Sequence, residues 1–119
     1  MARLLIINAD DLGYDSAVTR GILAAMDGGI VCSATLMVNG PDSEAAAARV
    51  RGRPVGLHLN LARWAPVCST FPAELLSEGA LDGAKAALLP ADVVQAEAVA
   101  QLERCEALLG GRPTHLDVH

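Results

Sequence analysis

The chain has 119 residues, enough for one compact domain and too few for two ordinary ones. It is 52% hydrophobic and 19% charged, yet no run approaches the roughly 18 uninterrupted apolar residues of a membrane-spanning helix. A net charge of −5, the lack of any basic tract, and only three aromatics (Tyr14, Trp64, Phe71) argue against a nucleic-acid partner.

The first element predicted is a strand over Arg3 to Asn8. Its aliphatic run Leu4-Leu5-Ile6-Ile7 fits a strand covered on both faces, as in a parallel sheet. Met1-Ala2-Arg3 leads straight into this run, which argues against a signal peptide. A helix follows Asp15 or Ser16, either of which can cap it. Val18, Ile22, Ala25 and Met26 recur at helical spacing, and Gly28-Gly29 offers a left-handed stop. A second strand is predicted over Ser33 to Val38, ending in the turn Asn39-Gly40-Pro41. An alanine-rich helix runs from Asp42 or Ser43 to about Arg51, and a short third strand from Val55 to Asn60. From Ala62 to about Leu89 no period is sustained. A third helix spans Ala91 to Leu109, with Val94, Ala98, Leu102, Cys105 and Leu109 along one stripe and Gly110-Gly111 at its end. A fourth strand is expected over Thr114 to His119. The alternation of strands and helices predicts parallel strands joined by right-handed crossovers, without an internal domain boundary. Cys32, Cys68 and Cys105 match neither a zinc motif nor a disulfide framework, so a reduced, cytoplasmic setting is expected.

Polar residues gather at the strand ends. Asp10 and Asp11 follow the first strand, Asn39 the second; His58 lies late in the third, and His119 ends the fourth. In a parallel α/β fold these ends share one face, so the residues converge. One aspartate and two histidines form a 2-His-1-carboxylate set, which leaves positions on a divalent metal open to water and substrate. The second aspartate can then take a proton from the attacking water. Each residue also has a plainer role open to it. The aspartates can cap a turn, His58 between Leu57 and Leu59 can be a core histidine, and His119 is simply terminal. Asp117, two residues from His119 on the same strand face, is placed to orient a ligand. His115 is further down that strand, where packing or capping suits it better. Trp64 can stack on a sugar ring or anchor its loop.

Four segments together carry a resemblance: Leu5-Ile6-Ile7-Asn8-Ala9-Asp10-Asp11-Leu12-Gly13, Val38-Asn39-Gly40, Gly56-Leu57-His58-Leu59-Asn60-Leu61 and Pro113-Thr114-His115-Leu116-Asp117-Val118-His119. In order and spacing they resemble the YdjC-like carbohydrate deacetylases, which include the chitooligosaccharide deacetylases. The resemblance implies a (β/α) barrel of TIM-like type, a divalent metal (magnesium foremost, zinc as the alternative), and hydrolysis of N-acetyl groups from acetylated amino sugars. It assigns Asp11, His58 and His119 as metal ligands and Asp10 as general base; Asn39 and Asp117, from their places at the strand ends, are expected to bind substrate or support the ligands.

The chain departs from the family in two respects. The family's Asp-Ser-His reads Asp117-Val118-His119, and family members continue past this motif with further histidines and barrel elements. A closed barrel needs about eight strands and roughly 250 residues. The four strands predicted over residues 1–119 therefore correspond to the amino-terminal part of a single deacetylase domain, cut short or completed by a second copy. Unpaired edges would then favour a homo-oligomer. Two other readings stay open: an inactive metal- or sugar-binding remnant working by self-association, and another metal hydrolase such as a phosphoesterase.

Overall fold

Among the described residues four short strands and three helices alternate, each placed by local chemistry. The computed structural model describes residues 2–119; Met1, the first residue of the stretch that argues against a signal peptide, lies outside the described residues. Strand β1 (Asn8–Leu12) leads into helix α1 (Ser16–Gly28), whose first turn is capped by Asp15: its carboxylate accepts from the Val18 N–H at 2.8 Å. The helix ends without a left-handed residue, because Gly29 is extended, with φ −129°. Strand β2 (Ser33–Leu36), helix α2 (Ser43–Val50) and strand β3 (Val55–Leu59) follow. After an irregular stretch with two short 3-10 turns comes helix α3 (Ala91–Leu109), which spans the expected range and stops at left-handed Gly110, φ 73°. Strand β4 (Leu116–Val118) is last.

The strands pair in parallel in the order β1-β2-β3-β4. Strand order equal to sequence order, with right-handed crossovers, keeps every helix on one side of the sheet, as in a barrel and unlike a doubly wound sheet. The core confirms this one-sidedness. Leu12, Ala34, Leu36, Val38, Val55 and Leu57 form one apolar cluster with Ile22 and Leu23 of α1, Ala46, Ala47 and Val50 of α2, and Cys105 of α3. The residues between them along each strand face the other way and are mostly polar. The fold is a partial TIM-like barrel whose outer face is oily and whose inner face carries hydrogen-bonding groups.

Three expectations need correction. Leu4 to Ile7 is not a buried strand: β1 begins only at Asn8, and Leu5 is 81% exposed. The segment lies ahead of the first β1–β2 pair, Asn8 with Ser33, and is joined to the fold by the Cys32 N–H on the Ile7 carbonyl at 3.0 Å, so no element covers its apolar side chains. The α3 stripe is also rotated. The helix buries Glu97, Gln101 and Cys105, while Leu102 is exposed. The polar pair is buried because the strand end and loop above it need hydrogen-bond partners, as described below. Strand β2 is shorter than predicted, since the chain turns after Met37, whose carbonyl accepts from the Gly40 N–H at 3.3 Å.

Burial pushes the Cys105 thiol up to about 11, so it stays protonated at neutral pH. Iodoacetamide at pH 8 is therefore expected to label exposed Cys32 first and to spare Cys105 until denaturant is added, as read by mass spectrometry. Early labelling of Cys105 would contradict its place in the core.

Candidate metal centre

Two adjacent residues of a regular strand point to opposite faces, so Asp10 and Asp11 should not both reach the inner side. A bulge resolves this. Ala9 pairs with Ala34 and Leu12 with Leu36, so three steps along β1 match two along β2. The extra residue is absorbed at Asp11, which adopts φ 67°. Aspartate is among the few residues with a side chain that tolerate this left-handed geometry. The Tyr14 N–H bonds to the Asp11 carbonyl at 3.0 Å and fixes the turn.

The bulge delivers Asp11 to both histidines. Its Oδ1 lies 3.2 Å from His58 Nε2 and 3.0 Å from His119 Nδ1. His58 is buried on β3, and the His119 N–H is tied to the Leu59 carbonyl at 3.0 Å. The two rings meet edge to face with centroids 5.3 Å apart. One donor atom from each of Asp11, His58 and His119 falls within 4.8 Å of the others, close enough to share one ion.

Orientation comes from the strand alongside. Asp117 pairs in register with His58, and its Oδ1 is 2.5 Å from His58 Nδ1. A proton on Nδ1, donated to that carboxylate, leaves a lone pair on Nε2. That lone pair faces the Asp11 oxygen. Two acceptors this close are relieved only by a proton or a cation between them, so the donor set fits a divalent metal. The other oxygen of Asp117 accepts from Thr35 Oγ1 at 3.1 Å and from Asn8 Nδ2 at 3.4 Å. Asn8 Nδ2 also donates to Asp10 Oδ1 at 2.8 Å. Asp10 is exposed, and one of its oxygens lies within 4.8 Å of donor atoms of His58 and Asp117, a second possible ion-holding group that shares His58.

Asn8, Ser33 and Thr35 were not singled out in the sequence. Ser33 Oγ donates to Asn8 Oδ1 at 2.7 Å, and His115 Nε2 sits 3.0 Å from the same oxygen. His115 packs below the cluster against Gly56, where an added Cβ would fall 2.9 Å from ring carbons of His115. The signal for these residues is their period of two: Asn8 and Asp10, Ser33 and Thr35, His58 and Asn60, His115, Asp117 and His119 alternate with the apolar outer face.

Asn39 does not join the cluster. Its Nδ2 donates to the Arg63 carbonyl at 3.2 Å and the Ala65 carbonyl at 3.0 Å, and its Oδ1 accepts from Asn60 at 2.9 Å. It anchors the loop after β3 instead.

A family model described as YdjC-like protein matches residues 4–119. The chain belongs to the YdjC-like family. Relatives include a chitooligosaccharide deacetylase of Escherichia fergusonii, 38% identical over all of this chain and 50% of its own length. A carbohydrate deacetylase of Geobacillus stearothermophilus is 40% identical with the same coverage. One of Mus musculus is 42% identical over 97% of this chain and 41% of its own. A crystal structure of a proposed cellobiose-phosphate cleavage protein from Enterococcus faecalis superposes with a TM-score of 0.82 at 31% identity, over 96% of this chain and 47% of that one. The chain thus spans about half the length of the YdjC-like relatives it matches. Among the described residues no helix is long and apolar enough to cross a membrane.

Proposed function

We propose that this chain carries the metal-binding part of a hydrolase that removes N-acetyl groups from acetylated amino sugars. The observation that carries the reading is the meeting of Asp11, His58 and His119 around a point where one cation would sit, beside a second carboxylate on Asp10. The names of the relatives support the substrate class. Asp11, His58 and His119 would hold the ion, magnesium or zinc. When bound, it would polarise the amide carbonyl, favour deprotonation of a water, and stabilise the developing oxyanion. Asp10, steadied by Asn8, takes the proton as water adds to the carbonyl carbon and returns it to the amide nitrogen as the C–N bond breaks, giving acetate and a free amine. Asp117 holds the His58 ring with Nε2 turned toward the ion. Three free cysteines support a reduced, cytoplasmic setting.

Acetate release from N-acetylated chito-oligosaccharides, with magnesium or zinc present, tests the reading. Asp10→Asn is expected to lower kcat by about 10²- to 10⁴-fold while leaving cation affinity within a few-fold. Cation binding without acetate release would favour a sugar-binding remnant. Turnover of p-nitrophenyl phosphate alone would favour a phosphoesterase, and cleavage of cellobiose phosphate the activity proposed for the Enterococcus relative.

The sheet has open edges at β1 and β4, and Leu4, Leu5, Ile6, Leu116 and Val118 stand exposed along them. Unpaired parallel edges with apolar side chains recruit further strands. We therefore expect the 119-residue chain to self-associate at micromolar concentration. Light scattering that found a monodisperse species of 12.3 kDa would refute this.

A further inference from the structure

The loop leaving β3 is held with more hydrogen bonds than a connection requires. Asn60 is fully buried; its Oδ1 accepts from the Ala62 N–H at 2.9 Å and the Arg63 N–H at 3.2 Å, and its Nδ2 donates to the Arg63 carbonyl at 2.9 Å. Asn39 binds the same loop from the end of β2, and the Leu81 N–H donates to the Trp64 carbonyl at 2.8 Å. Trp64 itself is forced to φ 59°, a conformation that bulky side chains rarely accept. Such strain persists only where the surroundings impose it, and it is concentrated at functional positions.

What the loop presents is a cluster of three side chains. The Trp64 ring rests over Gly40, where a Cβ would lie 3.3 Å from it, and meets Tyr14 edge to face at 5.1 Å. The Arg63 guanidinium lies 5.2 Å from the Tyr14 ring centre, and its Nη1 donates to the Tyr14 hydroxyl. Tyr14 is hydrogen-bonded through its N–H to the carbonyl of Asp11, so the cluster begins one turn from the ligand carboxylate. Arg63 is exposed and Trp64 half-buried, which leaves an aromatic surface flanked by guanidinium N–H groups.

We infer that Tyr14, Arg63 and Trp64 form a subsite for the pyranose ring adjoining the one that is deacetylated, so that the site prefers oligomers to single sugars. The inference rests on the deacetylase reading. A pyranose has an apolar C–H face that stacks on an aromatic ring and equatorial hydroxyls that accept from a guanidinium. Arg63, on the loop after β3, is the cluster's one cation, while Tyr14 lies between Asp11 and Asp15 in the chain, a charge balance that suits a neutral polyhydroxy ligand better than a polyanion.

Trp64 is the only tryptophan, so its fluorescence reports the subsite directly. The full chain would be titrated with N,N′-diacetylchitobiose and with N-acetylglucosamine, and acetate release followed in parallel. The expected result is a saturable change in Trp64 emission with the disaccharide and at least about tenfold weaker binding of the monosaccharide. Arg63→Ala and Tyr14→Phe should weaken the disaccharide about 5- to 10-fold and leave the monosaccharide unchanged. Circular dichroism would confirm that both variants fold. If acetate is released but both sugars bind alike, emission stays constant and Arg63→Ala has no effect, the subsite is wrong and the deacetylase reading stands. If neither sugar binds and no acetate forms, both fall. A response to inorganic phosphate that exceeds the response to the disaccharide would also overturn the subsite.

Discussion

Replacing Asp11 by glycine is expected to abolish cation binding without unfolding the chain, and replacing it by alanine to abolish binding and also lower stability. The difference lies in the backbone. Asp11 occupies φ 67° in the β1 bulge, a geometry that costs an ordinary L-residue roughly 1–2 kcal/mol and glycine almost nothing. Both variants lose the carboxylate oxygen shared by His58 Nε2 and His119 Nδ1. Changes in groups that merely support a ligand cost about 10- to 100-fold in metal affinity. Loss of the ligand itself should therefore exceed about 100-fold in a calorimetric titration with Zn²⁺. The glycine variant should melt above the alanine variant by several degrees. Undiminished affinity in both would relocate the ion to the neighbouring group of Asp10, His58 and Asp117, which Asp10→Asn would then expose.

The alternation of strands and helices is legible in the residues, because glycine stops, caps and apolar periods agree with one another. Helix α3 has the boundaries that its sequence signals predict, and Gly110 ends it as expected. Its buried face is not legible. An apolar stripe through Leu102 reads as core, yet the fold turns Glu97 and Gln101 inward. No helical period reveals this, since the demand comes from backbone groups of β3 and the following loop, distant in sequence. Strand β1 is misplaced for a related reason. An aliphatic run reads as buried strand, but burial needs elements packed over it, and Leu4 to Ile7 lies ahead of the paired strands, with Leu4, Leu5 and Ile6 exposed. The convergence of Asp11, His58 and His119 follows from topology alone, because parallel strands bring their carboxyl ends to one rim. The bulge that lets Asp11 join them does not. It is a register shift that shows only when β1 is laid beside β2.

Glu97→Ala is expected to be among the most destabilising single changes in the chain, although the residue is far in sequence from Asp11 and His58 and bonds to none of Asp11, His58 and His119. Glu97 is completely buried, and its carboxylate accepts from the Val67 N–H at 2.8 Å, the Cys68 N–H at 2.7 Å and Gln101 Nε2 at 2.8 Å. Gln101 in turn clasps Asn60, accepting from its N–H at 3.0 Å and donating to its carbonyl at 2.7 Å. Alanine would leave three donors without an acceptor around a void. At about 1–3 kcal/mol for each group that water cannot reach, a loss of roughly 3–5 kcal/mol is reasonable. For a domain of this size that lowers Tm by on the order of 10 °C or more. Glu97→Gln keeps the volume but sets an amide N–H against one donor, and should cost about half as much. The two outcomes separate packing from hydrogen bonding, since packing alone would make glutamine neutral. Cation affinity should survive in both variants when measured well below the midpoint, because Asp11, His58 and His119 are fixed by strand pairing and by Asp117 rather than by α3. Sugar binding should not survive equally. The chain of bonds from Glu97 through Gln101 to Asn60 ends on the loop that carries Arg63 and Trp64, so loosening it frees that loop before it reaches the ligands.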